Sequence, residues 1–141
     1  MNPRYPPVAL RARHRCEYCS APESMFNFSF EVEHIRPLSQ GGEDHEANWA
    51  LSCRSCNVYK GSRLTYPEPE TSDVVTLYHP RLNLREVHFQ LEMELGRILG
   101  KTVVGRATVA CLRMNSDAQL LARRQWIRLG LFPQPVLLRV T

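Results

Sequence analysis

The sequence predicts an α+β fold in two parts, a small strand, strand and helix unit fastened by cysteines and a strand-plus-helices extension that follows it. Two Cys-x-x-Cys pairs bracket the first part, Cys16/Cys19 and Cys53/Cys56. Apolar residues alternate along positions 26–33 and again along 87–95, which is the two-residue period of a strand. Beyond Thr102 the apolar residues recur at the spacing of one helix face.

Length and composition place the chain among folded proteins of one ordinary domain. It has 141 residues, of which 43% are hydrophobic and 23% are charged. It contains no apolar stretch of about 18 residues, and its first residues lack the apolar core of an export signal. We therefore expect a soluble, cytoplasmic protein with no membrane partner.

The formal charge of +4 is unevenly distributed. Residues 1–66 carry eight Lys or Arg against seven Asp or Glu, whereas residues 81–141 carry ten against four. A cationic face raises the local concentration of a polyanion such as nucleic acid. A solvated helix face would give the same count, so both interpretations stay open.

The four paired cysteines predict a structural zinc site. A Cys-x-x-Cys turn presents two sulfurs to one ion, and two such turns fill its four tetrahedral positions. The alternative is a pair of disulfides, which the reduced thiol pool of the cytoplasm disfavours. The predicted ligands are Cys16, Cys19, Cys53 and Cys56.

The elements of the first part follow from local signals. The proline-rich opening predicts an extended arm over residues 1–13, with a short helix over 8–15 as the way into Cys16. A strand then covers the alternating segment, and His34 lies near its end on the side of the phenylalanines. Pro37 and Gly41-Gly42 begin a loop that runs through Glu46. Residues 49–52 suit a second strand, and 54–61 suit a helix.

This first part resembles the zinc-knuckled branch of the HNH endonucleases. In chain order, the matching segments are Cys16-x-x-Cys19, Val-Glu-His-Ile-x-Pro-Leu-Ser-x-Gly-Gly over 32–42, Asn48, and Cys-x-x-Cys-Asn-x-x-Lys-Gly over 53–61. His34 and Asn48 are fourteen positions apart, and Asn48 and Asn57 are nine apart. The resemblance covers residues 14–66 and implies a ββα-metal finger that hydrolyses double-stranded DNA.

The same residues suit phosphodiester hydrolysis, which needs a base to activate water and a positive centre to stabilise the phosphate and the leaving oxygen. Histidine takes up a proton near neutral pH, so His34 is the candidate general base. Glu33 and Asn57 offer oxygen donors suited to a catalytic Mg²⁺ or Mn²⁺. The resemblance implies these same roles and assigns Asn48 to bracing the loop that carries the base.

Two positions depart from the commonest pattern of that family. Glu33 stands where aspartate is more frequent, and its longer side chain changes where the carboxylate reaches. Asn57 stands where histidine is more frequent, and it can also act as a helix cap. Since a neutral amide is a weak ligand, we expect loose binding of the catalytic ion, completed by substrate phosphate.

Four basic residues near the second cysteine pair and the base are candidate DNA contacts: Arg36, Arg54, Lys60 and Arg63. In the family that the segment resembles, the final helix enters a groove of the duplex and its basic residues grip phosphates. Contacts of this kind position the backbone without reading bases. Ordinary solvent exposure is the alternative for each of them.

The extension is predicted over residues 67–141, after the boundary Pro67-Glu-Pro-Glu. We expect one strand over 87–95, a turn over 96–101, a helix capped by Thr102 and a last helix over 117–129. Cys111 falls on the apolar stripe of the first helix and is expected to be buried. The extension could pack on the finger, grip DNA, or dock a partner protein or a second copy.

Two functions of different classes follow from the sequence. The first is a metal-dependent HNH endonuclease, with His34 as its base and an ion held by Glu33 and Asn57. The second is a catalytically inactive, zinc-stabilised module that binds nucleic acid or acts as an adaptor. Their common prediction is the structural zinc.

Overall fold

The computed structural model describes residues 2–135 and shows a mixed α+β fold, which confirms the predicted fold class. Within this range the strands form three antiparallel sheets of two strands each. Residues 136–141 of the predicted extension lie outside the described residues. None of the helices in the described range has both the length and the apolar character needed to cross a bilayer.

The first helix, α1 (Tyr5–Arg11), confirms the predicted short helix over residues 8–11 but begins three residues earlier and ends before Arg15. The extended arm predicted over residues 5–7 is wrong. Two prolines stand in the first turn of α1, where their missing N–H groups have no helical partner and their fixed φ suits a helix. Val8 and Ala9 are buried and join the core cluster. The helix therefore forms one wall of the finger.

Strands β1 (Glu31–His34) and β2 (Trp49–Ser52) form the hairpin of the finger, with His34 opposite Trp49. The second strand is as predicted, but the first begins only at Glu31. Residues 26–30 are irregular and follow a turn of 3₁₀-helix at Glu23–Met25. Phe26 instead packs edge-on against Phe30, with ring centroids 4.9 Å apart. The alternation along 26–30 thus reflects a cluster of aromatic rings.

Helix α2 (Arg54–Lys60) completes the ββα unit close to the predicted bounds. Cys53 caps it, because its Sγ accepts a hydrogen bond from the backbone N–H of Cys56 at 3.4 Å. Cys56 and Lys60 are buried on the inner face of this helix. The second cysteine pair therefore fixes the start of the helix through Cys53 and part of its buried face through Cys56.

Through residue 135, the extension contains two hairpins and three helices. In chain order they are β3 (Thr65–Pro67), β4 (Val74–Thr76), α3 (Arg85–His88), β5 (Phe89–Glu92), β6 (Arg97–Gly100), α4 (Val103–Cys111) and α5 (Asp117–Arg128). The strand predicted over 87–95 is confirmed only at 89–92, because α3 precedes it and the chain reverses at Gly96 with φ +73°. The turn predicted over 96–101 is wrong, because β6 lies there and pairs with β5. Thr102 caps α4 as predicted, since its Oγ1 accepts from the N–H of Gly105.

The extension shares one core with the finger. Trp126 of α5 lies 6.0 Å from Phe26, measured between ring centroids. Arg85 of α3 donates to the backbone oxygen of Tyr18, between the first two cysteines. Among the three roles open to the extension, packing on the finger is the one that these contacts support.

Candidate active site and metal centre

The four paired cysteines converge at one point. Their Sγ atoms all lie within 4.8 Å of one another, and all four residues are buried. Cys19 and Cys53 approach to 3.7 Å between sulfurs. With Zn–S bonds of about 2.3 Å, tetrahedral geometry separates sulfurs by about 3.8 Å. The cluster therefore has the size that the predicted zinc ion requires.

The protonation of these thiols also fits a bound cation. Hydrogen bonding among the sulfurs, led by contacts from Cys16, lowers the pKa of Cys19 and raises the pKa values of Cys53 and Cys56. The protein alone thus stabilises only part of the negative charge that four thiolates would carry. A divalent ion bound there would supply the rest, and its binding would be coupled to folding.

His34 ends β1 with a side chain that is 25% exposed. Its Nε2 lies 2.9 Å from Oδ1 of Asp44, and the same oxygen accepts a hydrogen bond from Nε1 of Trp49 at 3.0 Å. The hydrogen bond with His34 is the main cause that lowers the pKa of Asp44 to about 2. Asp44 is therefore a carboxylate at neutral pH.

Asp44 was absent from the predicted site residues. In the sequence it is one acidic residue in a polar loop, with no spacing that marks it. The hairpin register could have indicated it, because pairing of His34 with Trp49 brings the end of that loop over the imidazole.

Asn48 closes the loop between the two strands. Its Oδ1 accepts from the N–H of Arg36 at 2.8 Å, and its Nδ2 donates to the backbone oxygens of Arg36 and Glu43 at 2.9 and 2.7 Å. Gly42 lies against the same turn, where an added Cβ would be 1.9 Å from the Arg36 oxygen. These contacts are of the kind expected from a residue that braces the loop.

Glu33 lies in the interior, where it is 7% exposed. One carboxylate oxygen is 3.3 Å from Nζ of Lys60, and the other accepts a hydrogen bond from the hydroxyl of Tyr18. Burial raises the pKa of Glu33, and the opposing charge of Lys60 acts against that rise. Lys60 also donates to the backbone oxygen of Ile35 at 2.9 Å.

Asn57 contacts the carboxylate of Glu31. Its Nδ2 donates to Glu31, and that pair is solvent exposed. The strand period explains this, because Glu31 and Glu33 share one face of β1 and meet Asn57 and Lys60, which are one helical turn apart on α2. Glu33 and Asn57, the predicted ligands of one catalytic ion, therefore have separate hydrogen-bond partners.

The strand period also separates the predicted base from those carboxylates, because adjacent strand residues alternate between faces. Within residues 2–135, no hydrogen bond joins His34, Glu33 and Asn57 to one another. His34 pairs with Asp44, and Asn57 pairs with Glu31. The convergence of His34, Glu33 and Asn57 on one ion and phosphate stays a prediction.

Of the four predicted DNA contacts, three arginines are placed on the surface: Arg36, Arg54 and Arg63. The prediction for Lys60 is wrong, since this residue is 2% exposed and its ammonium is paired inside the protein. Lys60 lies three positions after Asn57, where its side chain points toward β1. A lysine there neutralises Glu33 and cannot reach a phosphate on the surface.

Comparison with known proteins agrees with this geometry. Residues 16–63 match the family model described as HNH endonuclease. No curated protein and no solved structure matches the chain.

The matched residues are those that form the ββα unit, and they begin and end around the two cysteine pairs. The family is generally one of nucleases that act on DNA. Four converging sulfurs fit its branch with two Cys-x-x-Cys pairs. Residues 16–63 are therefore a domain of the HNH endonuclease family, in the branch fastened by a four-cysteine metal site.

Proposed function

We propose that the protein is a metal-dependent endonuclease that hydrolyses phosphodiester bonds of double-stranded DNA in the cytoplasm and leaves 5′-phosphate and 3′-hydroxyl ends. The observation that carries this proposal is the position of His34 within the HNH domain. Its imidazole is partly exposed at the end of β1, beside a loop that Asn48 holds in place. The site can therefore present a base to a substrate from a fixed backbone.

His34 acts as the general base that takes a proton from the attacking water. Imidazole is suited to this step because its ordinary pKa lies close to neutral pH. Asn48 supports the step indirectly by fixing the backbone that follows the base. Loss of the imidazole removes the proton acceptor, a contribution of about 10² to 10⁴ in rate.

A catalytic Mg²⁺ or Mn²⁺ would be held by Asn57 together with a carboxylate of β1. Glu31 is the carboxylate in contact with Asn57, and both are accessible to water and phosphate. Mg²⁺ commonly keeps several waters and uses one or two carboxylates with substrate phosphates, so this exposed donor pair fits it. When bound, the ion supplies positive charge to the phosphate and the leaving oxygen.

Glu33 is the ligand that the family resemblance assigns, and it remains the alternative to Glu31. Its two oxygens are engaged with Lys60 and Tyr18, so coordination would require it to leave that pair. We therefore assign Glu33 to fixing β1 against α2, and Glu31 to the ion.

Arg36, Arg54 and Arg63 bind the phosphates on either side of the cut. All three are exposed, and Arg36 is steered by a hydrogen bond from its Nε to the backbone oxygen of Gln40. Phosphate contacts fix the register of the duplex but carry no base information, so we expect weak sequence preference and strong dependence on salt.

A plasmid-nicking assay tests the proposed activity. Wild type should nick supercoiled DNA with Mg²⁺ or Mn²⁺ and not with EDTA, and His34→Ala should lose about 10² to 10⁴ in rate. His45→Ala is the matched control, since His45 is an exposed histidine of the adjoining loop. Equal rates for His34→Ala and wild type would reject the base assignment.

A second assay distinguishes the two carboxylates. Glu31→Gln and Asn57→Ala should raise the Mg²⁺ concentration needed for half-maximal nicking, because each removes a ligand. Glu33→Gln should leave that concentration unchanged and lower the melting temperature. A raised metal requirement for Glu33→Gln, at unchanged stability, would restore the assignment drawn from the family.

The second candidate function is a zinc-stabilised module that binds nucleic acid or serves as an adaptor without cutting. It is favoured by the engagement of Glu33 with Lys60, which removes one expected ligand from the surface. Absence of nicking by wild type under Mg²⁺, Mn²⁺ and Zn²⁺, with DNA binding retained, would support this candidate over the nuclease.

A further inference from the structure

We infer that Asp44 is the positioning residue of the base, holding His34 through Nε2 so that Nδ1 is the nitrogen that takes the proton from water. The inference rests on the proposed endonuclease function. It assigns a role to an acidic loop residue that lies outside the matched motif positions.

The hydrogen-bond geometry fixes the tautomer. Nε2 of His34 is 2.9 Å from Oδ1 of Asp44, and an ionised carboxylate can only accept. The hydrogen atom of the neutral imidazole is therefore on Nε2. Nδ1 then carries the lone pair, which is the state that a general base needs before it reacts.

Asp44 is itself held by two further donors. Nε1 of Trp49 donates to the same oxygen at 3.0 Å, and the guanidinium of Arg4 pairs with the other oxygen. The Arg4 guanidinium also lies over the Trp49 ring, 5.3 Å from its centroid. Together with His34, these two donors come from three segments of the chain and determine where this carboxylate lies.

The backbone around Asp44 is anchored from both sides. Asn48 binds the backbone oxygen of Glu43, which immediately precedes Asp44. Arg11 of α1 donates to the backbone oxygen of Glu46 at 3.0 Å, just beyond it. The loop is therefore fixed relative to β1, as a positioning residue requires.

A surface ion pair without a catalytic role is the competing explanation, because the Asp44 side chain is 44% exposed. Exposed pairs of that kind contribute little to stability, and their loss would leave turnover unchanged. The two explanations therefore differ in the rate of the chemical step and in the imidazole tautomer.

The first measurement is nitrogen NMR of the full-length, zinc-loaded protein labelled at histidine, at a pH where the imidazole is neutral. Wild type should show His34 as the Nε2–H tautomer. Asp44→Ala should shift it toward a mixture of tautomers, whereas Glu43→Gln, an equal change of charge one residue earlier, should not. An unchanged tautomer in Asp44→Ala would overturn the inference.

The second measurement is the rate of plasmid nicking with Mg²⁺. Asp44→Ala should lower kcat about 10-fold to 100-fold with KM retained, a smaller loss than that of His34→Ala. Arg4→Gln keeps Asp44 but removes one of its donors, so it should give a smaller loss and serves if Asp44→Ala fails to fold. Wild-type kcat in both variants would overturn the inference.

The two failures are distinguishable. If wild type cuts no DNA, the proposed function fails, and the tautomer measurement still decides whether Asp44 holds His34. If wild type cuts DNA and the Asp44 variants match it in kcat and tautomer, only the role of Asp44 fails.

Discussion

At the scale of single residues, the two-residue period of β1 predicted the placement of the site side chains better than the family pattern did. It placed His34 on the opposite side of β1 from Glu33, and the structure keeps them on separate contacts. The partner of each side chain could not be predicted, because it depends on the loop and helix that the register brings alongside. Asp44 and Lys60 reach their partners across 10 and 27 positions of sequence.

Asn48 gives the prediction that belongs to this scale. Asn48→Ala removes three hydrogen bonds and should lower the free energy of unfolding by about 1–3 kcal/mol, because the backbone groups of Arg36 and Glu43 lose their partners. Urea unfolding measures the change. Nicking should fall as well, since the loop that carries Asp44 is released.

Asn48→Asp is the informative companion. It retains the acceptor for the N–H of Arg36 but sets a carboxylate oxygen against the backbone oxygens of Arg36 and Glu43, so it should be at least as destabilised as Asn48→Ala. A variant as stable as wild type would show that the two donated bonds contribute nothing to the loop.

At the scale of elements, the capping signal of Thr102 correctly predicted the start of α4. Thr102 and Ser116 begin α4 and α5, and each accepts from the N–H three positions later. The start of β1 and the hairpin β5–β6 were not predictable in the same way. In both cases the alternation continues through a turn, and the turn depends on packing of the aromatic cluster or on the conformation of Gly96.

The β3–β4 hairpin, which the sequence did not indicate, is joined to α4 through a buried carboxylate. Glu68 pairs with Nε of Arg106 at 2.6 Å and accepts from the N–H of Thr71 at 2.8 Å. Burial acts to raise the pKa of Glu68, but these hydrogen bonds outweigh it and lower the value to about 2. The carboxylate therefore remains charged when folded.

This depressed pKa predicts how stability depends on pH. Unfolded glutamate titrates near pH 4.3, about two units higher, so the stabilisation is complete above that pH and is lost as pH falls toward 2. Glu68→Gln should therefore be less stable than wild type at pH 7, with the difference shrinking between about pH 4.3 and 2. Urea unfolding across that range measures it.

Glu70→Gln is the control for that series. Glu70 also lies near Arg106, at 3.2 Å, but its side chain is exposed. A pH-dependent stability difference as large for Glu70→Gln as for Glu68→Gln would contradict the assignment to the buried carboxylate.

At the scale of the whole molecule, the charge count overstated the cationic surface of the extension. Arg123 is fully buried, and it donates to the backbone oxygens of Gly96 and Met114. Composition cannot distinguish such an arginine from an exposed one. The four-cysteine cluster, by contrast, was predictable as a whole, since ligand type and spacing alone indicate it.

The shared core predicts that the extension stabilises the finger. Trp126→Ala should lower the free energy of unfolding by about 3–5 kcal/mol, because it leaves a cavity beside Phe26 and Phe132. Leu121→Ala, on the exposed face of the same helix, should change it by about 0.5 kcal/mol or less. Equal effects of the two substitutions would argue that α5 does not pack on the finger.

Removal of the metal tests the other support of the fold. Purified protein should contain one zinc per chain, and a strong chelator should unfold residues 16–63 together with the elements packed on them. Cys56→Ser should lose the zinc, whereas Cys111→Ala should keep it, because Cys111 is buried away from the cluster. Metal analysis measures the zinc content, and circular dichroism measures the unfolding.

The burial of Lys60 has a practical consequence for chemical labelling. The chain has two lysines, and Lys101 is the exposed one. An amine-reactive ester should therefore acylate Lys101 and the terminal amine in the folded protein, and reach Lys60 only when β1 and α2 separate. The fraction of Lys60 that is acylated would therefore measure the fraction of molecules in which the finger has opened.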